Sequence, residues 1–330
     1  MTFTRRQLLC AGVAGTLAPL LHAPAFAQST LKMAKVTVGF PPGDMADSLA
    51  RVVADFLRGR YAETTIVENK PGAAARIAIG SYVKLPADPS EVLFTPGAMI
   101  VLFPHVFQKL PYDPLKDLLP VTRIATTSFG LAVGPSVPGE IRTLSQWLAW
   151  CRQDPKNAYY ATSGAGTGIH LTGEYLARLA GVPLTMVPYK GAAPAVTDLV
   201  AGQVNAQMAT IPSLIEYARA GKIRFLAVSS AQRVTALPDV PTFTEQGYPK
   251  LVTDDFFGFF VRPGTPEAAV QSLNRDILAA LKDDKVRAVL ERMALSIAPS
   301  ESSAEFRTLI EAEYRKWGEI ARTTEFDPMA

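Results

Sequence analysis

Short strand-like runs alternate with amphipathic helices through most of the chain, and this alternation limits the possible folds more than any other feature. The run at 35–40 is one example. It is followed, after Pro41-Pro42-Gly43, by apolar residues that recur at helical spacing from Leu49 to Leu57. The pattern repeats as far as 223–228, and the segment after 262 is mainly helical. Alternation of this kind predicts an α/β fold with mainly parallel sheets flanked by helices.

The first 27 residues have the pattern of an export signal. Arg5-Arg6 precede a mostly apolar run that ends at Leu21, and Ala25-Phe26-Ala27 has the small–x–small pattern of a cleavage site. The paired arginines leave open a twin-arginine or a general secretory route. Cleavage after Ala27 predicts a periplasmic mature protein, residues 28–330, that does not span a membrane.

Charge and composition exclude several classes of partner. Removing residues 1–27 takes away two of the 33 basic residues and none of the 30 acidic ones, so the net charge falls from +3 to +1. A near-neutral chain gives no indication of nucleic acid or an anionic membrane as partner. Cys151 is the one cysteine left, so no internal disulfide forms, and we expect it to pack in a core. No dinucleotide or phosphate-loop motif occurs, and we expect no cofactor.

Length predicts two lobes. About 300 mature residues exceed the size at which a single hydrophobic core stops growing. Prolines at 238 and 241 mark an extended connection near the end of the middle α/β block. We therefore predict that residues 28–128 and 253–330 form lobe 1 and that 129–252 form an inserted lobe 2. Two crossovers then leave a ligand cleft between the lobes, where strand and helix ends meet.

The segment from Tyr160 to His170 carries the strongest functional signal. A strand-like run breaks into a loop with glycines at 164, 166 and 168, and helix-forming residues follow directly. Unpaired backbone N–H groups and the helix dipole at such a point favour an anion. The alternative is a tight turn in which glycine is needed for positive φ.

Several ordered motifs resemble one family over nearly all of 30–325. They are Val38-Gly-Phe-Pro-Pro-Gly43 with Asp47, Val67-Glu-Asn-Lys-Pro-Gly72, Lys109–Asp117, Tyr160–His170, Val187-Pro-Tyr-Lys-Gly191, Gly202-Gln-Val204, Ala236–Thr242 and Pro263-Gly-Thr-Pro266. Each motif is short, but their order and spacing are similar to those of the Bug (TctC-like) solute receptors of tripartite tricarboxylate transporters. The resemblance implies a two-lobed periplasmic binding protein (type II-like) that closes on a small carboxylate.

By position, the resemblance also implies ligand contacts. The first loop supplies Phe40, Pro42, Gly43, Asp44 and Asp47. The glycine loop supplies Ser163, Gly164, Ala165, Gly166, Thr167 and His170, with Lys190 nearby and Phe256 as a pocket-lining aromatic residue. Each has a structural alternative, such as an N-cap for Asp44, turn formation for Lys190 and a structural hydrogen bond for His170.

Departures from the family pattern bear on the ligand. Asp44 stands where a second glycine is usual, and Ala73-Ala74-Ala75-Arg76 replaces a glycine-rich sequence. The acid or amide often found after the Gly-Gln-Val strand is Ala209 here, followed by Thr210. Arg76 is either a solvated helix residue, a partner for Asp44 or a clamp for a carboxylate. We therefore expect Asp44, Arg76, Thr210 and Phe256 to adjust the specificity.

The sequence favours a receptor over two other classes. We expect a monomer that binds one small organic acid and presents it to integral-membrane transporter subunits. A secreted enzyme is the first alternative, and Ser163 near His170 is its one thin candidate pair. His170 and Glu174 have a helical metal-ligand spacing, but a third ligand is hard to supply. A sensor that reports to a membrane signalling partner is the other alternative.

Overall fold

The computed structural model describes residues 31–327, so the predicted export signal lies outside the described residues. The strands are β1 (Leu31–Val38), β2 (Ala62–Asn69), β3 (Glu91–Pro96), β4 (Leu119–Thr127), β5 (Phe129–Val133), β6 (Tyr159–Thr162), β7 (Thr185–Pro188), β8 (Ala206–Thr210), β9 (Arg224–Val228), β10 (Asp255–Val261) and β11 (Ser296–Ile297). The helices are α1 (Met45–Leu57), α2 (Arg76–Tyr82), α3 (Ala98–Val101), α4 (Phe103–Val106), α5 (Pro114–Asp117), α6 (Leu144–Gln153), α7 (Gly168–Ala180), α8 (Ala192–Val200), α9 (Ile211–Arg219), α10 (Glu267–Ala280), α11 (Asp284–Arg292) and α12 (Ser303–Thr323). None of these helices combines the length and apolarity needed to cross a membrane.

The first sheet has six strands in the order β11-β4-β10-β3-β1-β2. Apolar side chains of α1, α10 and α11 form a core on one of its faces. Helices α2, α3 and α12 pack on the other face, in a core that continues into the second sheet. The first sheet is therefore buried on both sides, as its apolar strands require.

The aromatic strand β10 shows how residue parity sets these two faces. Phe257 and Phe259 pack against Phe94, with ring centroids 6.1 and 4.6 Å apart. Phe256 and Phe260 point the opposite way, towards α12. Successive side chains of a strand alternate between faces, and this divides the four phenylalanines of β10 into two pairs.

The second sheet has five strands in the order β7-β6-β8-β5-β9. Helices α6 and α7 pack on one face, and their buried residues join the core shared with the first sheet. Helices α8 and α9 cover the other face. This is the α/β sandwich that the sequence predicts for the middle of the chain.

Both sheets are mixed in direction, which corrects the expectation of mainly parallel sheets. Strand β1 is parallel to β2 and β3, whereas β10 is antiparallel to β3 and β4. In the second sheet β6 is parallel to β7 and β8, whereas β5 is antiparallel to β8 and β9. Strands β5 and β10 are the ones on which the chain enters a sheet directly from the other sheet. They lack a helical return crossover, so they run against their neighbours.

The chain passes between the sheets at two places within 31–327. Ser128 alone separates β4 from β5, and residues 229–254 connect β9 to β10. Strands before Ser128 and from β10 onward lie in the first sheet, and β5 to β9 lie in the second. The lobe boundaries 28–128 plus 253–330 and 129–252 stay a prediction.

Candidate ligand-binding site

A cavity of about 320 Å³ lies between the two sheets, where β3, β4 and β10 meet the first turns of α1, α3 and α7. Its lining is mainly apolar. The aromatic residues on it are Phe40, Phe103, Phe129, Phe257 and Trp317. The polar residues on it are Asp44, Thr127, Thr167, Thr210 and Asp255.

Asp47 does not line the cavity, and its hydrogen bonds hold the first loop in shape. Its carboxylate accepts hydrogen bonds from the Gly43 N–H at 2.8 Å, the Asn69 amide at 2.7 Å and Arg51 Nε at 3.0 Å. Burial alone would raise the pKa of Asp47, but the bonds from these three donors together lower it below its ordinary value. Pro42 is exposed on the same loop. The sequence places Asp47 in the ligand loop, and the structure gives it the role of holding that loop in shape.

Asp44 is the N-cap that the sequence gives as one alternative, and its predicted ligand contact stays a prediction. Its Oδ1 accepts the Ala46 N–H at 2.9 Å and so caps α1. Asp44 is also exposed and lines the cavity, together with Met45 and Ala46. A negative charge therefore stands at the cavity wall beside the N-terminus of α1.

The alanine sequence before α2 adopts an unfavourable backbone. Ala73, Ala74 and Ala75 have φ values of 48°, 50° and 66°, a region that glycine occupies more easily. Ala74 lines the cavity. Arg76 does not, because its guanidinium lies 3.9 Å from the ring centroid of Phe107 and its Nε donates to the Ala73 carbonyl. Of the alternatives for Arg76, the structure shows a stacked residue on the helix surface.

The glycine loop is tied to α7 by its own side chains. Gly166 has φ +70°, and its N–H donates to Nδ1 of His170 at 3.1 Å. Thr167 is the N-cap of α7, since its hydroxyl accepts from the His170 N–H at 3.2 Å and donates to the Gly164 carbonyl at 3.0 Å. His170 makes the structural hydrogen bond that the sequence gives as one of its two alternatives. The Gly166 N–H is consequently not free to bind an anion.

The unpaired N–H groups lie one step further along the chain, at Gly168 and Ile169. Both residues line the cavity, and their N–H groups make no hydrogen bond to any residue within 31–327. Gly168 is also tightly enclosed, because a Cβ there would lie 3.2 Å from the rings of Phe129 and Trp317. The first turn of α7 thus has bare N–H groups on two residues that line the cavity, at a point where a side chain hardly fits.

Of the remaining predicted residues, only Thr210 lines the cavity. Ser163 and Ala165 lie in the glycine loop outside the lining. Lys190 is exposed in the loop before α8. Phe256 faces α12 because of its parity in β10, and its neighbour Phe257 lines the cavity instead.

Sequence reasoning missed two polar residues of the lining, Thr127 and Asp255. They are directly paired across β4 and β10. Oδ1 of Asp255 accepts the N–H groups of Ala98 at 3.0 Å and Phe256 at 2.8 Å, while burial raises the pKa of Asp255 to about 7. An acidic pair, Asp254-Asp255, at the start of an aromatic strand was the signal that could have identified the site.

Groups that catalysis or metal binding would use are engaged elsewhere. Nδ1 of His170 holds the glycine loop, and Nε2 lies 3.6 Å from Glu174. No set of three or more His, Cys, Asp or Glu side chains suited to a metal occurs in the described part of the chain. Cys151 is buried, as expected, and burial raises its pKa to about 12, which disfavours the nucleophilic thiolate.

Comparison of the sequence with known proteins shows the family to which the chain belongs. A profile described as tripartite tricarboxylate transporter family receptor matches residues 49–326. The chain is 31% identical over 293 residues to Protein BugT of Bordetella pertussis, and the alignment covers 88% of each chain. The resemblance found in the sequence motifs is therefore confirmed.

Solved structures agree with the fold. An R. palustris protein solved with adipate is 31% identical, with a TM-score of 0.77, and the match covers 90% of this chain and 98% of that one. The periplasmic binding protein BugD is 24% identical, with a TM-score of 0.74, over 90% of this chain and 99% of that one. The predicted α/β architecture of a periplasmic binding protein is confirmed.

Proposed function

This chain belongs to the receptor family of the tripartite tricarboxylate transporters, and we propose that it captures a small organic acid in the cavity between its sheets. The protein then delivers the acid to the membrane subunits of such a transporter. The related R. palustris protein, solved with adipate, supports a carboxylate as ligand. We also propose export to the periplasm with cleavage after Ala27, and a monomeric mature protein.

The observation that carries the proposal is the bare first turn of α7. The N–H groups of Gly168 and Ile169 in this turn are unpaired, and both residues line the cavity. α7 has 13 residues, so its dipole places partial positive charge at this end. A carboxylate bound here gains hydrogen bonds to charged oxygen, which are about twice as strong as neutral ones.

The other predicted contacts divide into two groups under this proposal. Phe40, Asp44, Thr167 and Thr210 line the cavity and contact the ligand directly. Gly43, Asp47, Gly166 and His170 hold the two loops in the shape that binding needs. The protein binds its ligand without transforming it, because the imidazole of His170 is committed to the loop.

Native mass spectrometry of the protein purified from the periplasm tests the proposal. We expect a co-purified small carboxylate, recovered unchanged after long incubation, and a mass that begins at residue 28. A thermal-shift panel of organic acids should raise the melting temperature with at least one acid, because a bound ligand stabilises the folded state. A bound molecule without an acidic group, or one recovered chemically altered, would overturn the proposal.

A further inference from the structure

The floor of the cavity contains a second polar position, distinct from the first turn of α7. Thr127 ends β4 and Asp255 begins β10, and the two residues are directly paired. Thr127 is 4% exposed, and its Oγ1 has no hydrogen-bond partner among the described residues. Both hydrogen bonds to Asp255 reach the same oxygen, Oδ1, which leaves Oδ2 for another donor.

An unpartnered buried hydroxyl at a cavity wall points to a ligand group. A buried polar atom that lacks a hydrogen bond costs roughly 1–3 kcal/mol, and a ligand that supplies the partner recovers that energy. Thr127 Oγ1 can accept from a donor, and the free oxygen of Asp255 accepts only when the carboxyl is ionised. A group with several donors satisfies both atoms at once.

The acidic side chains of the lining favour a positively charged donor on the ligand. The charged side chains on the cavity wall are Asp44 and Asp255, and no Lys, Arg or His is among the lining residues within 31–327. Nearby Glu313 adds repulsion to Asp255, and the Lys316 ammonium is bound to Glu313 and to the Val252 carbonyl. A second carboxylate placed at the floor would therefore meet acids without a compensating cation.

The aromatic residues act in the same direction. Phe103, Phe129, Phe257 and Trp317 line the cavity together with Asp255. The faces of aromatic rings attract cations, most strongly when the group is removed from water. The same rings provide an apolar surface for the body of the ligand.

We propose that the ligand is an amino carboxylate whose ammonium group, at the end opposite its carboxylate, is held by Asp255 and Thr127. The proposal rests on the function proposed above, in which the carboxylate occupies the first turn of α7. It narrows the class from organic acids in general to those with an apolar body and a cationic far end. Dicarboxylates such as adipate become weak ligands of this chain.

Ligands that differ only at the far end test the proposal. Calorimetric titration would compare 6-aminohexanoate, adipate and hexanoate. A four-carbon series (4-aminobutanoate, succinate and butanoate) and an aromatic series (4-(aminomethyl)benzoate, terephthalate and 4-methylbenzoate) carry the same three end groups. Titrations are run at pH 8, above the pKa of about 7 to which burial raises Asp255. In the series that binds most tightly, we expect the amino acid to bind at least tenfold more tightly than the dicarboxylate and than the acid with an apolar end.

Two variants locate the effect. Asp255→Asn should abolish the advantage of the amine over the apolar acid, and Thr127→Val should reduce it several-fold. Asp276→Asn is the matched control, because Asp276 on α10 is a partly buried acid outside the cavity, and it should leave every affinity unchanged. Melting curves of each variant confirm that it is folded.

The outcomes separate the two proposals. If hexanoate or adipate binds but the amine binds no better, or if Asp255→Asn keeps the preference for the amine, the amino carboxylate is refuted and the receptor function stands. If none of the carboxylates binds, the carboxylate function fails and the far-end proposal fails with it.

Discussion

Replacing Asp47 with asparagine should cost stability and loosen the first loop. Oδ2 accepts from Gly43 and Arg51 and Oδ1 accepts from Asn69, at 2.7–3.0 Å. An amide keeps at most two of these bonds, without the charge, and turns an NH2 donor towards the remaining donor or donors. Hydrogen bonds to a charged group contribute roughly 1.5–3 kcal/mol each, and the easier burial of the amide offsets part of the loss. We expect Asp47→Asn to lower the free energy of unfolding by about 2–4 kcal/mol.

Asp55 on the same helix provides the control. It pairs with Arg58 at 2.9 Å, but the two side chains are 70% and 57% exposed. An exposed pair of this kind contributes at most about 0.5 kcal/mol. Asp55→Asn should therefore leave the urea unfolding curve, followed by circular dichroism at pH 7, almost unchanged.

The pH dependence gives a sign that can be checked. Because the folded-state pKa of Asp47 is lowered, its stabilisation is present above the unfolded value of about 3.9 and is lost as the pH falls through the folded value. The difference between wild type and Asp47→Asn should therefore be complete at pH 7 and shrink at pH 3. Equal losses in the Asp47 and Asp55 variants, or a difference that does not change with pH, would refute the reasoning.

Three further predictions concern the cavity and the glycine loop beside it. Ala74→Gly should raise the free energy of unfolding by up to about 1 kcal/mol, because a φ of 50° strains alanine. The control Ala288→Gly in α11 should lower it by about 1 kcal/mol, and urea unfolding curves measure both. Gly166→Val should weaken ligand binding more than tenfold by calorimetry, while Gly181→Val, with a similar φ of +61° at the far end of α7, should not weaken it. Asp255→Asn should stabilise the free protein by at most roughly 4 kcal/mol at pH 8 and hardly at pH 4. The reason is that the raised folded-state pKa of Asp255 makes the wild type lose stability as the pH rises from the unfolded pKa to the folded one. Melting curves at the two pH values measure the difference.

The sequence predicted the elements that have strong periodicity. Helices α1 and α7 lie where their patterns indicate, within one or two residues. Strand β4 was missed, although Val121, Thr122 and Ile124 favour a strand, because Pro120 and the polar residues interrupt the apolar run. Strand direction also escaped prediction, since it depends on where the chain enters each sheet.

The site was harder to predict than the fold, for physical reasons that particular residues show. The glycine loop was expected to offer its N–H groups, but the Nδ1 atom of His170 competes for that of Gly166. Phe256 and Phe257 differ only in parity, which single-sequence reasoning does not fix for an all-aromatic strand. Thr127 and Asp255 meet through a pairing of strands 128 positions apart in the chain, so local patterns carry no sign of their contact.

Ser128, the single residue between β4 and β5, limits how the two halves of the molecule can move. Under the proposed function, a link this short beside the longer connection at 229–254 would favour closure by rotation of the two halves over sliding. In that case the length of the bound ligand would set how far the two halves close. If the protein acts as proposed, we expect a ligand that is too long to hold the two halves apart, and a transporter that binds the closed form would then not accept it.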